Sequence, residues 1–298
     1  MEMVKDKVTN IEEFFKQLPS LDVKIRENIF YRGQSKTDYK LTPSILRNNN
    51  LKNENKIYSD IMTECSHEFE EVKLHNEILS KMQHYGVYTR LLDVTVNALV
   101  ALYFACENNK DEDGAVFVIR TNGSEIKQFD SDVISILSSL PRFKIEEKKI
   151  MKQLAEEAKN KLEENVKSEI AIIQDFNEHH LIKRLLHEIK KEKPAFENII
   201  NPCDLLNNYF FIPRKNNARI IRQSGAFMIF GLGNEEFEVE ENADRDSEKS
   251  YKIIIDRQSK REIIDQLSIC GISKATLHPE LYKVAEFIKE KYNKPEFY

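Results

Sequence analysis

The chain of 298 residues carries 45 Lys and Arg against 50 Asp and Glu, a formal charge of -5, with 41% apolar and 32% charged residues. That balance fits a globular protein with an ample core in one large or two small domains, and it gives no general reason to bind nucleic acid, which stays open only for local basic patches. No apolar signal region opens the sequence and no apolar run approaches bilayer-spanning length, so no membrane partner is expected and the cytoplasm is the default location.

An amphipathic helix is expected around Ile11 to Gln17, capped by Asn10 with Glu13 three residues later. Residues 29–34 read as a short strand broken by Gly33, and residues 41–47 as an extended segment with a turn at Pro43. Between Lys56 and Gln83 apolar residues recur at helical intervals and predict one or two amphipathic helices. The apolar run 98–106 reads as a buried helix with Thr95 and Asn97 as its start signal. A polar turn at 108–114 then leads to a buried strand over 115–119.

From about 145 to 193 Glu and Lys dominate and apolar residues from Ile150 through Val166 to Ile173 keep a helical spacing, which predicts a long helix and a second near 181–186. Strands return at 207–213, 218–221 and 225–231. A charged loop covers 234–250, a strand 251–255, a helix 259–267, and a last helix 279–291 with Thr276 or His278 upstream as its cap. The pattern implies an α+β class, one domain over 1–298 with a helical insertion at 145–200.

Several chemistries lack their residues. Cys65, Cys106, Cys203 and Cys270 show no metal or disulfide spacing, and no metal is expected. No glycine-rich phosphate loop, zinc-protease helix or serine nucleophile elbow occurs.

Segment 83–95 draws attention because Gln83, His84, Tyr85, Arg90, Asp93 and Thr95 stand directly before a run that must enter the core. Buried polar groups need partners or a ligand. His84 suits acid–base work or simple donation, or a structural role satisfied by backbone carbonyls. Arg90 and Asp93 suit an internal ion pair. Arg32, on a strand before Gly33, suits a bidentate grip on phosphate or carboxylate, or a salt bridge to Asp93. Gly33 would let a ligand or another backbone approach closely. In the second half, Arg219, Arg222 and Gln223 repeat the pattern of polar groups at a strand edge. Gln223 orients but cannot act as a base. The basic stretch near His179, His180 and His187 is interleaved with Glu178, Glu188 and Glu192 and reads as a solvated face.

Three segments together resemble the FRG domain family, named for its Phe-Arg-Gly motif. The first is Tyr31, Arg32, Gly33 and Gln34, followed by Leu41, Thr42, Pro43, Ser44 and Arg47. The second is Gln83, His84, Tyr85, Gly86, Thr89, Arg90, Leu91, Leu92, Asp93 and Thr95, with the run 99–106 behind it. The third is Arg219, Gln223, Gly225 and Phe227. The chain departs from the pattern at Val87 and Tyr88, where the family tends to carry Leu-Pro, and at Val94, where it carries Trp.

A more distant similarity is to ADP-ribosyltransferase toxins, which place Arg on a first strand, Ser-Thr-Ser on a second and Glu on a last. That resemblance implies a mixed, mostly antiparallel sheet core with flanking helices, and NAD as cofactor or substrate, with His84, Thr95 and Gln223 in the catalytic places. Arg32, Gly33, Gln34, Tyr85, Arg90 and Asp93 would then surround the nucleotide. It also implies a toxin or anti-phage effector. Because Gln223 stands where a carboxylate is expected, a non-catalytic nucleotide-sensing or protein-interaction module, docking through 145–200, stays open. So does a metal-independent nuclease using His84.

Overall fold

A computed structural model of the protein describes residues 7–19, 28–164, 168–240, 243, 245 and 248–280. In chain order the helices and strands are α1 (Ile11–Gln17), β1 (Ile29–Gln34), α2 (Glu54–Glu64), α3 (Ser66–Phe69), α4 (His75–His84), β2 (Leu91–Thr95), α5 (Ala98–Cys106), β3 (Gly114–Arg120) and β4 (Ile126–Gln128). There follow α6 (Asp132–Ser139), α7 (Ile145–Glu163), α8 (Glu169–Glu178), α9 (His180–Lys190), α10 (Pro202–Leu206), β5 (Tyr209–Ile212), α11 (Ala218–Arg222), β6 (Gly225–Ile229), β7 (Tyr251–Ile255), α12 (Lys260–Ile269) and α13 (Lys274–Leu277). Among these residues no helix is long and apolar enough to cross a membrane.

The seven strands form one open sheet in the order β4-β5-β6-β2-β1-β3-β7. Every pairing is antiparallel except that of β4 with β5. This is the mixed, mostly antiparallel sheet with flanking helices that the sequence implies. Strand β3 is buried along both faces, as its unbroken apolar run requires, whereas β7 alternates buried and half-buried residues.

Side-chain alternation divides the sheet into two faces. On one, α1, α5 and α12 cover β1, β3 and β7 with a core that includes Phe14, Val116, Val118 and Ile253. The same face of β2, β5 and β6 packs, through Leu91, Phe211, Phe227 and Ile229, on α4 and the helices between β4 and β5. The opposite face holds Phe30, Leu92, Val94, Phe117, Phe210 and Met228, with Leu41 over them.

Local chemistry explains the elements that read correctly. Asn10 accepts from the Glu13 N–H at 2.9 Å, and the Glu13 carboxylate accepts from Thr9 N. Asn97 accepts from Leu99 N and starts α5, which is buried nearly all round. Gly33 and Gly114 let this helix lie on the sheet: a Cβ on Gly33 would stand 1.8 Å from the Ala101 carbonyl oxygen, and one on Gly114 2.3 Å from that of Ala105.

Four expectations need correction. Residues 218–222 are helix α11, not a strand, because the Asn217 side chain caps the Arg219 N–H and closes a turn that five residues are too few to reveal by periodicity. Segment 41–47 is extended only to Pro43. A 3₁₀ turn starts at Ser44 and breaks where Asn48 and Asn49 take φ of 52° and 59°. The long helix expected through Ile150 to Ile173 is two, α7 and α8, restarted by the Ser168 cap, while Val166 lies outside the described residues; the second helix expected near 181–186 forms as α9, capped by His179. The helical block also begins earlier, with α6 at Asp132. The helix expected over 279–291 lies outside the described residues beyond Glu280. Within the described residues Ser273 caps α13.

Candidate functional site: a cleft at an opened strand seam

Strands β1 and β2 are neighbours, yet they pair at one position only, Tyr31 with Thr95. The flanking ladders are long, six residue pairs between β1 and β3 and five between β2 and β6. Past Tyr31 and Thr95 the two central strands therefore part, and main-chain groups that would pair across the sheet face an opening. A cleft of about 230 Å³ lies there, on the face between α5 and α4. Its lining draws on all three segments singled out in the sequence: Tyr31, Arg32 and Gly33 from β1; Gln83, His84, Asp93 and Thr95 from α4 and β2; Arg219, Gln223 and Phe227 from α11 and β6.

Arg32 lies on the face of Phe30 by alternation, and its guanidinium returns to the seam, where Nη1 donates to the Asp93 carbonyl. Its Nε is buried without a hydrogen-bond partner among the described residues. Burial pushes the guanidinium down to about 10, with Asp93 opposing and Arg47 adding to the shift, so it stays cationic at neutral pH. Arg32 forms the floor of the cleft and does not ion-pair with the Asp93 carboxylate.

That carboxylate is instead oriented by Gln83, whose Nε2 donates to Asp93 Oδ2 at 2.8 Å. The Gln83 amide is itself fixed, because its Oε1 accepts from Thr89 Oγ1 at 2.7 Å. The Asp93 carboxylate can only accept, which makes Nε2 the end that meets it. Asp93 is the one carboxylate among the described lining residues.

His84 ends α4 and lines the cleft. Its imidazole is held below its ordinary value by burial and by the nearby Arg219, against the pull of Glu280. Sequence reasoning placed His84 beside a strand; it is a helix residue, and the turn at Gly86, with φ of 81°, follows it. The Arg219 side chain has no ion-pair partner among the described residues and adds a second guanidinium to the cleft. It was visible in the third motif but not singled out for the site.

Other expected site residues serve the scaffold. Thr95 Oγ1 donates to the carbonyls of Gln223 and Ser224 at 2.7 and 3.2 Å and accepts from Asn97 N, which ties β2 to α11 and to the start of α5. Gln223, at the end of α11, donates from Nε2 to the Leu277 carbonyl at 3.1 Å. Gly33 makes room for α5, so the close neighbour is a backbone. Gln34 is buried away from the cleft, with Nε2 on the Lys40 carbonyl. Tyr85 is 67% exposed and lies outside the lining.

Arg90 requires the largest revision. The expected ion pair with Asp93 does not form. Arg90 is 2% exposed, binds Glu54 through Nε at 3.0 Å and Nη2 at 2.6 Å, and donates from Nη1 to the Phe230 carbonyl at 2.8 Å. Lys148 from α7 reaches the same Glu54 carboxylate. Burial alone would raise the Glu54 carboxyl, but Arg90 and Lys148 outweigh it and hold it below the usual range. The cluster locks the helical block to the sheet and lies apart from the cleft.

An open, mostly antiparallel sheet with a polar cleft at its central seam thus defines the architecture. Within it the model of the FRG domain matches residues 27–114, which run from β1 to the start of β3, and the chain carries an FRG domain there. The third motif, with Arg219 and Gln223, falls outside the matched range but borders the same cleft. No curated protein and no solved structure matches the chain.

Proposed function

We propose that the cleft is a nucleotide site and that the protein handles NAD or a related nucleotide with ADP-ribosyltransferase-like chemistry. The observation that carries this reading is the opened β1–β2 seam, where Arg32, Arg219 and His84 line one cleft together with Asp93. Guanidiniums in a partly dehydrated cleft favour phosphate oxygens. At about 230 Å³ the cleft lies below the roughly 300–1,000 Å³ of sites that hold a whole drug-sized ligand, so it suits one phosphorylated ribose rather than a complete dinucleotide.

In this reading Arg32 and Arg219 hold phosphate, and Asp93, aimed by Gln83, faces the ribose. The bond from the ribose anomeric carbon to nicotinamide breaks with its electron pair leaving on nicotinamide. Asp93 stabilises the positive centre until water or an acceptor nucleophile adds and gives up its proton to solvent. That gives Asp93 the part a terminal-strand carboxylate would play, since Gln223 is neutral and already engaged. Four free thiols fit a cytoplasmic setting, where consumption of NAD would make the protein a toxin or anti-phage effector.

The test is incubation of purified protein with NAD and, separately, with NAD and cell extract. Nicotinamide release or transfer of ADP-ribose, lost in Asp93→Asn, is the expected result. Wild-type turnover equal to that of Asp93→Asn would discard the enzymatic reading. Nucleic-acid degradation lost in His84→Ala would replace it with a nuclease.

A second reading, nucleotide sensing without turnover, is favoured by Thr95 and Gln223 being committed to the scaffold. The helical block would then carry the protein contact, with Ile150 and Ile170 exposed at 42% and 71%. Binding of ADP-ribose without turnover supports it.

A further inference from the structure

A segment from the far end of the described chain lies against residues that line the cleft. Residues 277–280, which run on from the last residue of α13, touch three groups of the site. The Leu277 carbonyl accepts from Gln223 Nε2 at 3.1 Å. The His278 ring stands edge-on to Phe104, a lining residue, with centroids 6.0 Å apart. Glu280 Oε1 lies 3.6 Å from His84 Nε2. These contacts fall on α11, α5 and α4, so four consecutive residues bridge elements that come from both sides of the seam.

The contacts are of unequal quality, and that decides what the segment does. The Gln223 hydrogen bond is an ordinary tertiary contact. His278 packs on Phe104, while its Nε2 stands 3.5 Å from Glu107 Oε1 without a hydrogen-bond partner among the described residues. The Glu280 contact is likewise incomplete: its two groups stand just beyond hydrogen-bond distance, and Oε2 is buried without a hydrogen-bond partner among the described residues. A buried carboxylate oxygen left unpaired is an incomplete solution for an anion. A phosphate at the same place, with more acceptor oxygens and two guanidiniums within the cleft, satisfies the donors more fully. An anion held this poorly is readily displaced by a better one.

We propose that residues 277–280 form a strap that closes the cleft, with the Glu280 carboxylate standing at His84 in the place that an anionic group of the ligand takes when the strap lifts. The closure is independent of what the ligand is. The competition between Glu280 and the ligand rests on the nucleotide reading given above.

The full-length protein allows both halves to be tested. Diethyl pyrocarbonate labelling at pH 7.5, where the depressed His84 imidazole is neutral with or without Glu280, reports access to the cleft through the rate at which His84 is modified. A strap that moves as a unit predicts a rise of about fivefold or more in Glu280→Ala and also in His278→Ala, although His278 packs on Phe104 and not on His84. A rise in Glu280→Ala alone, or in neither variant, overturns the strap.

Calorimetry with ADP-ribose tests the competition. Binding about tenfold tighter in Glu280→Ala than in the wild type supports it, and equal affinity overturns it. Absence of ADP-ribose binding in both proteins overturns the competition together with the nucleotide reading, while the labelling still decides the closure by itself.

Discussion

Arg32 donates from Nη1 to the main-chain carbonyl of Asp93 and not to its carboxylate. The guanidinium thereby occupies the ladder position that β1 vacates as it leaves β2, and the Asp93 side chain is left to Gln83. One side chain both closes the gap in the sheet and leaves its Nε for something else.

Replacement of Arg32 by Lys keeps the charge but loses the planar fork that reaches the carbonyl and a ligand together. ADP-ribose affinity is expected to fall about 10- to 100-fold, in line with about 1.5–3 kcal/mol for a charge-assisted hydrogen bond. Calorimetry on folded protein checks this, and affinity within twofold of the wild type would leave Arg32 a purely structural residue.

Gln83→Leu removes the donor that aims Asp93 and leaves the carboxylate in place. Turnover is expected to drop about tenfold with ADP-ribose affinity nearly unchanged, whereas Asp93→Asn should cost about 100-fold or more in kcat, the scale of lost charge stabilisation at a reacting centre. Equal kcat in wild type and Gln83→Leu would show that Asp93 needs no positioning.

The Glu54, Arg90 and Lys148 cluster makes a stability prediction apart from the cleft. Glu54→Ala strands two buried cations and should cost about 3–5 kcal/mol, read from urea unfolding. Joint replacement of all three by Met should cost clearly less, because it removes the desolvated charges along with their attraction. If the triple variant is the less stable one, the cluster contributes more than its desolvation takes away.

His75 sets an acid limit. It is buried, accepts from Arg142 Nη1 on Nε2 at 2.7 Å and meets Ser139 Oγ with Nδ1 at 2.9 Å. Burial, then the positive charges of Arg142 and Lys191, push its imidazole down to about 3 from an ordinary 6.5. A folded value below the unfolded one gives stability that is fully present above pH 6.5 and is lost as pH falls toward 3, at most about 1.4 kcal/mol per pH unit. Urea unfolding of wild type and His75→Gln at pH 7.5, 5.5 and 4.5 should show the gap between them narrowing with acid. A constant gap would mean that His75 does not titrate in this window.

Much of the fold is legible in the sequence because it is encoded within a few residues. The Asn10 and Asn97 caps, the unbroken apolar runs of α5 and β3, and the polar turn between them depend on neighbours three or four positions away. Helix α11 shows where this stops. Ala218, Arg219, Ile220, Ile221 and Arg222 fit a strand or a helix equally well, and the Asn217 cap with the packing beneath it decides the matter.

The sequence by itself determined that an Arg-Gly strand, the 83–95 segment and the 219–227 segment carry an unusual density of polar groups beside core runs. Only the tertiary structure decided what each group does there. Arg90 meets Glu54, 36 residues away, and Asp93 meets Gln83 on a neighbouring helix. Gln223 reaches across 54 residues to Leu277. Ion-pair partners and the parting of two strands are long-range outcomes: they follow from where the sheet and helices bring remote segments together, and no local spacing records them.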